Sequence, residues 1–137
     1  MTQKKKKLLF KDLCGRLPYD VKVKIPSMES PLTVLSINTN GVTWVKGDTG
    51  YPFEIDWENC KPYLFPMSSM TEKEYSKWDN TYFHYLISST EVNYPESENY
   101  LALAHLNSVE WLYKHHYDIY GLIPMGLGID ATDKNIY

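Results

Sequence analysis

The chain has 137 residues, 43% of them apolar, and a net charge of −3. That is one domain's worth of sequence, apolar enough to bury a core without disulfide or metal staples and too apolar for a disordered chain. Its one arginine is Arg16, which makes sequence-specific nucleic-acid binding a poor reading, because forked recognition of guanine and phosphate falls to arginine.

Charge is uneven along the chain. Residues 1–24 carry eight basic and two acidic side chains, and residues 61–137 carry five lysines and ten acidic groups. The run Lys4 to Lys7 reads as a solvated terminal segment. No apolar run approaches the roughly 20 residues that cross a bilayer. The start, MTQKKKKLLF, lacks the apolar stretch and cleavage site of a signal peptide. A cytoplasmic setting is expected, with no membrane partner and with Cys14 and Cys60 reduced.

Residues 5–14 place Leu8, Leu9 and Leu13 near one helical face, with Gly15 as the expected stop. Leu17-Pro18-Tyr19-Asp20 reads as a turn, since the residue before proline is pushed out of helical backbone. DVKVKI, residues 20–25, alternates strictly: Val21, Val23 and Ile25 share one face and two lysines the other. PLTVLSI is a second strand, whose mixed apolar pattern suits a central position. NTNG (38–41) turns the chain, because Asn and Gly accept positive φ. VTWVKG is a third strand, DTGY (48–51) a second turn, and PFEIDW a fourth strand. Four short strands over about 20–57 predict an antiparallel or SH3-like unit.

KPYLFP (61–66) is expected to stay out of a sheet interior, because its prolines lack a donor. Thr71 to Glu74 is T-x-x-E, a capping box, with Met70 placed to staple onto Tyr75. The helix it opens runs past Trp78 and on through TYFHYLI unless Asp79-Asn80 interrupts it. Residues 88–99 read as a polar loop. A second helix lies within 100–116, where Asn107 to Glu110 resembles an N-cap and Val109, Leu112, Tyr113 and His116 share a face. YGLIPMGLG is too apolar for a solvated loop and should pack on the core. The fold class is α+β in a single domain 1–137: a short N-terminal helix, a small β unit over about 20–57, a helical half over about 70–117, and a packed tail over 118–137.

Catalytic signatures are absent from the sequence. There is no H-E-x-x-H, C-x-x-C, G-x-S-x-G or P-loop, and the tail is not G-x-G-x-x-G. Adjacent His115 and His116 point about 100° apart on a helix and do not chelate as a pair. Their bland reading is a helix C-terminal cap beside a packed core residue. The pairs Asp130/Asp133 and Glu96/Glu98 lie in polar segments with nothing to tune them as acids. No cofactor and no metal site is expected. An enzyme would be a metal-assisted hydrolase drawing on His84, His105, His115 and His116 with Glu110.

Aromatic residues stand out at 15%, with twelve Tyr and four Trp. Such side chains serve interfaces and stacking pockets. The candidate ligand contacts are Tyr63, Trp78, Tyr82, Tyr113, His115, His116 and Tyr120, with Lys61 or Lys114 for an anionic group.

LCGRLPYDVKV (13–23), KPYLFPMSSMTEKE (61–74) and EWLYKHHYDIYGLIPMGLGIDA (110–131) together resemble a family of small proteins encoded by phages, prophages and other mobile elements of gut Bacteroidales. That resemblance brings no catalytic residue. Where such relatives have Arg, between the Leu and Pro of KPYLFP and before Gly-Leu-Ile, this chain has Phe65 and Tyr120, which weakens a phosphate-binding reading. With no catalytic constellation in the sequence, the expected function is a non-enzymatic binding module for a small ligand, such as a nucleotide, or a host protein; the mobile-element context of the resemblance implies counter-defence, by sequestering a nucleotide signal or blocking a host protein. Homo-oligomerisation is expected. The remaining alternative is a structural or assembly protein, whose aromatics fill a subunit interface.

Overall fold

The computed structural model describes residues 1–91 and 97–137; the side chains of 82–91 and 97–100 lie outside that description. The N-terminal helix α1, Gln3–Arg16, is capped by Thr2, whose hydroxyl accepts from the Lys5 amide at 3.2 Å. Leu9 and Leu13 on its inner face are fully buried. Gly15 is not the stop. It lies inside α1, where a Cβ would stand 2.6 Å from the Tyr113 ring, so glycine here permits close packing. The helix ends in a short 3-10 turn over Leu17–Tyr19, as Pro18 demands.

Six strands follow: β1 (Lys22–Ile25), β2 (Met28–Ile37), β3 (Val42–Lys46), β4 (Phe53–Asp56), β5 (Lys61–Leu64) and β6 (Ile129–Asp130). They form one sheet in the order β4-β3-β2-β1-β5-β6. The meander β1 to β4 is antiparallel, and Gly41 turns β2 into β3 at φ 97. Val21, Val23, Ile25, Leu32, Val34 and Val45 point inward onto α1 and the tail. Leu35 and Trp44 lie on the other, solvent-facing side. The second strand is therefore half-buried, because its outer face carries no covering layer there.

β5 differs from the expectation. It lies inside the sheet, antiparallel to β1 and parallel to β6. Proline is tolerated because the pairing with β6 starts only at Tyr63, so Pro62 has no donor to supply on that side. Beyond β5 the chain stays extended: the Phe65 amide donates to the His116 carbonyl at 2.8 Å, and the Asp118 amide donates to the Phe65 carbonyl at 2.9 Å.

The capping box forms as predicted. The Glu74 amide donates to Thr71 Oγ1 at 3.1 Å, and the Thr71 hydroxyl donates to Glu74 Oε1 at 2.9 Å. Helix α2 spans Glu72–Glu91 without a break at Asp79-Asn80, and α3 spans Ser97–Lys114. The predicted polar loop shrinks accordingly, with residues 92–96 outside the described residues. Asn107 is not a cap. It sits within α3 and donates from Nδ2 to the Thr81 carbonyl at 2.9 Å, while Trp78 Nε1 donates to Ser108 Oγ at 2.9 Å. These bonds clasp the two helices. Leu112 is buried, but Val109, expected on the same face, is exposed. The tail packs as expected: Leu122 and Leu127 join the core of α1 and the sheet.

Candidate functional site

Helix α3 ends in a Schellman motif. The Tyr117 amide donates to the Leu112 carbonyl at 3.0 Å and the His116 amide to the Tyr113 carbonyl at 3.0 Å. His116 occupies the left-handed position at φ 63, where glycine is usual. The turn aims the chain back across Phe65 and sets Lys114, His115, His116 and Tyr117 around one cleft. Tyr117 also pairs through its backbone with Phe65 as an isolated parallel bridge.

The cleft has a volume of about 610 Å³. Besides that run, Phe65, Ser69, Glu74, Asp133 and Tyr137 line it. Aromatic faces form its walls: His116 stacks on Tyr137 with centroids 3.5 Å apart, and His115 stacks on Trp111 at 4.0 Å. His115 Nδ1 lies 3.1 Å from the Trp111 carbonyl. A carbonyl can only accept, so this nitrogen carries the proton and Nε2 keeps its lone pair when the ring is neutral. Burial, then the Lys114 charge, lowers the His115 pKa. His116 is 8% exposed and its Nδ1 is buried with no hydrogen-bond partner among the described residues. Burial, followed by the Arg16 charge, pulls its pKa down to about 4. Both rings are therefore neutral near pH 7.

The Tyr117 hydroxyl donates to Glu74 Oε2. That bond holds the Glu74 carboxyl below its usual range, while burial and the same bond push the Tyr117 hydroxyl up. Behind the cleft lies a fully buried ion pair. Arg16 donates to both Asp12 oxygens, at 2.8 and 2.9 Å, and from Nη2 to the Tyr117 carbonyl at 2.5 Å. Asp118 accepts from the Leu122 and Ile123 amides at 2.8 and 3.0 Å, which orders the tail.

Of the residues singled out in the sequence, Lys114, His115 and His116 meet in this cleft. The bland reading of the histidines also fits, since one caps a terminal carbonyl and the other is packed. Tyr113 and Tyr120 lie elsewhere, their hydroxyls 3.2 Å apart in the seam between α1 and α3. The Tyr113 ring also faces the Arg16 guanidinium at 5.1 Å. Tyr63 is buried in β5, and its carbonyl accepts from the Tyr137 hydroxyl at 2.8 Å. Lys61 lines a separate small cavity with Lys24 and Asn59. Trp78 belongs to the helix clasp, and the side chains of Tyr82 and His84 lie outside the described residues. Sequence reasoning did not assign Phe65, Ser69, Glu74, Asp133 and Tyr137 to a site. They come from segments up to 72 positions apart, and only Glu74 carried a local signal, which read as a helix cap.

Among the described residues, no three His, Cys, Asp or Glu side chains group as a metal site, and no helix is long and apolar enough to cross a membrane. Cys14 and Cys60 are free thiols. No protein-family model, no curated protein and no solved structure matches this chain.

Proposed function

We propose that the protein is a binding module that captures a small ligand of the nucleotide class in the cleft at the end of α3. The observation that carries this reading is the convergence of one cation, Lys114, with stacked aromatic faces around a cavity of about 610 Å³, within the range of small-molecule sites. Lys114 would take the anionic group. The exposed ring faces of Tyr137 and the neutral His115 suit a planar base, with buried His116 stacked behind Tyr137. Asp133 and the free lone pairs of Glu74 are acceptors for sugar hydroxyls. In a phage or mobile-element setting, such capture would remove a nucleotide signal without turning it over.

Thermal unfolding against a panel of cyclic and linear nucleotides tests this, because a ligand of the folded state raises the midpoint. One nucleotide should shift the wild-type midpoint and fail to shift Lys114→Gln and His116→Gly. The second variant supplies the residue that the turn ordinarily takes, so it keeps its fold while losing the ring. No shift with any nucleotide, or an equal shift in both variants, overturns the reading.

A protein partner, either a host protein or a second copy, is favoured by a different observation. Leu101, Leu103, Leu106 and Val109 on α3 are 46, 44, 53 and 36% exposed. Sedimentation across a concentration series tests the second copy, and a strictly monomeric chain at high concentration excludes it.

A further inference from the structure

The segment that follows β6 forms one wall of the cleft, through Thr132, Asp133 and Tyr137. The strand itself is fixed, since the Ala131 amide donates to the Leu64 carbonyl at 2.8 Å. Beyond it the chain is lightly held. Residues 132–135 are exposed. The Thr132 amide donates back to Asp130 Oδ1 at 2.9 Å and the Lys134 amide to the Ala131 carbonyl at 3.1 Å, both at the root of the segment. Past that root, the hydrogen bonds that tie 132–137 to the rest of the fold are, among the described residues, those of the Tyr137 hydroxyl.

That hydroxyl sits between two strands. It accepts from the Lys22 amide at 3.0 Å and donates to the Tyr63 carbonyl at 2.8 Å. β1 and β5 pair Val23 with Pro62, so Lys22 and Tyr63 come next, and the hydroxyl bridges them where that pairing stops. Its ring lies on His116, centroids 3.5 Å apart, and 6.2 Å from Phe65. Burial pushes the Tyr137 pKa up to about 12.

Two features favour release. Asp133 and Asn135 hold left-handed backbone at φ 62 and 55, a strain that non-glycine residues keep only while their surroundings enforce it. The groups the hydroxyl would leave behind are a donor and an acceptor side by side, which one water can bridge in its place. Opening therefore orphans neither.

We propose that residues 132–137 are a strap that gates the cleft: it opens as a unit, well short of global unfolding, by withdrawing the Tyr137 hydroxyl from between β1 and β5, and it uncovers the His116 ring. Closing it rebuilds the wall. That this controls capture of a ligand rests on the function proposed above; the opening itself does not.

The test uses the full chain and no ligand, so it fails or succeeds apart from the nucleotide reading. In native-state hydrogen exchange, the Lys22 amide should exchange much faster than the Val34 amide, which donates to the Val21 carbonyl at 3.1 Å in the meander. Low urea should accelerate Val34 and leave Lys22 unchanged, the mark of local opening. Diethyl pyrocarbonate then reads the uncovered ring. Tyr137→Phe keeps the stack and removes the anchor, so it should carbethoxylate His116 severalfold faster than wild type, with exposed His115 as the internal reference and the urea midpoint barely moved. A Lys22 amide that shares the rate and urea slope of Val34, or equal His116 labelling in the variant, overturns the proposal.

Discussion

The hydroxyl of Tyr117 donates to the Glu74 carboxylate, which ties the end of α3 to the cap of α2. One glutamate thus serves two purposes. Its first oxygen closes the capping box, and its second fixes an aromatic wall of the cleft.

Tyr117→Phe removes that second bond. It should lower stability by about 1 kcal/mol at neutral pH, the usual net worth of one hydrogen bond. Glu74 has its pKa lowered in the folded protein, so its contribution is complete above the ordinary carboxylate pKa and is lost as pH falls through the lowered value. The gap between wild type and variant should therefore close in acid. Urea unfolding at pH 7 and at pH 3 measures both; a gap that stays constant would show that the bond is not to an ionised carboxylate.

His116 acts in a higher pH window. Its pKa falls from 6.5 to about 4 in the folded protein, so the unfolded chain binds the proton first. Its contribution is complete above pH 6.5 and drains away as pH falls toward about 4. His115 shifts in the same direction and adds to this slope. His116→Gln should flatten the pH dependence of the urea midpoint between those limits, leaving the smaller His115 part. An unchanged slope would mean that His116 is not held neutral.

The pair Asp12 and Arg16 has no exposed surface on either side chain. Asp12→Asn leaves a buried guanidinium without its counter-charge and should cost about 3–5 kcal/mol. Arg16→Lys should also destabilise, since an ammonium cannot span two carboxylate oxygens and the Tyr117 carbonyl as the fork does. Denaturant titration of both variants checks this. A loss under 1 kcal/mol in Asp12→Asn would show that water reaches the pair.

Gly15→Ala pits propensity against packing. Alanine gains about 1 kcal/mol in a helix interior, but its methyl would enter the Tyr113 ring. That ring is held by Tyr120 and Arg16 and has little freedom to move. Overpacking of about 1–3 kcal/mol should win, giving a net loss in thermal midpoint. Adding Tyr113→Leu should recover part of the loss, a non-additivity that reports direct contact.

Much of the fold was readable from local pattern. Val21, Val23 and Ile25 alternate with lysines, and that period survives in the sheet because one face is buried. Thr71 and Glu74 carry the cap in four residues. What escaped was non-local. Lys61–Leu64 became an interior strand because its second neighbour, Ile129–Asp130, arrives more than sixty residues later and pairs only beyond Pro62. Lys114, His115 and His116 were found together because they are adjacent in the chain. Asp133 and Tyr137 were not, since nothing near them in sequence marks their approach. Tyr113 and Tyr120 show the limit of composition: aromatic content signalled stacking but could not separate a ligand wall from a seam between helices.

The strand at 61–64 has a further consequence, for the order in which the molecule assembles. The meander β1 to β4 closes short loops, whereas the bonds that complete the cleft are long-range: Arg16 to Tyr117 spans 101 positions and Tyr63 to Tyr137 spans 74. Closing long loops is entropically slow. On a ribosome the meander emerges first, while β5 still lacks its outer neighbour. The bonds that complete the cleft therefore wait on the last residues of the chain.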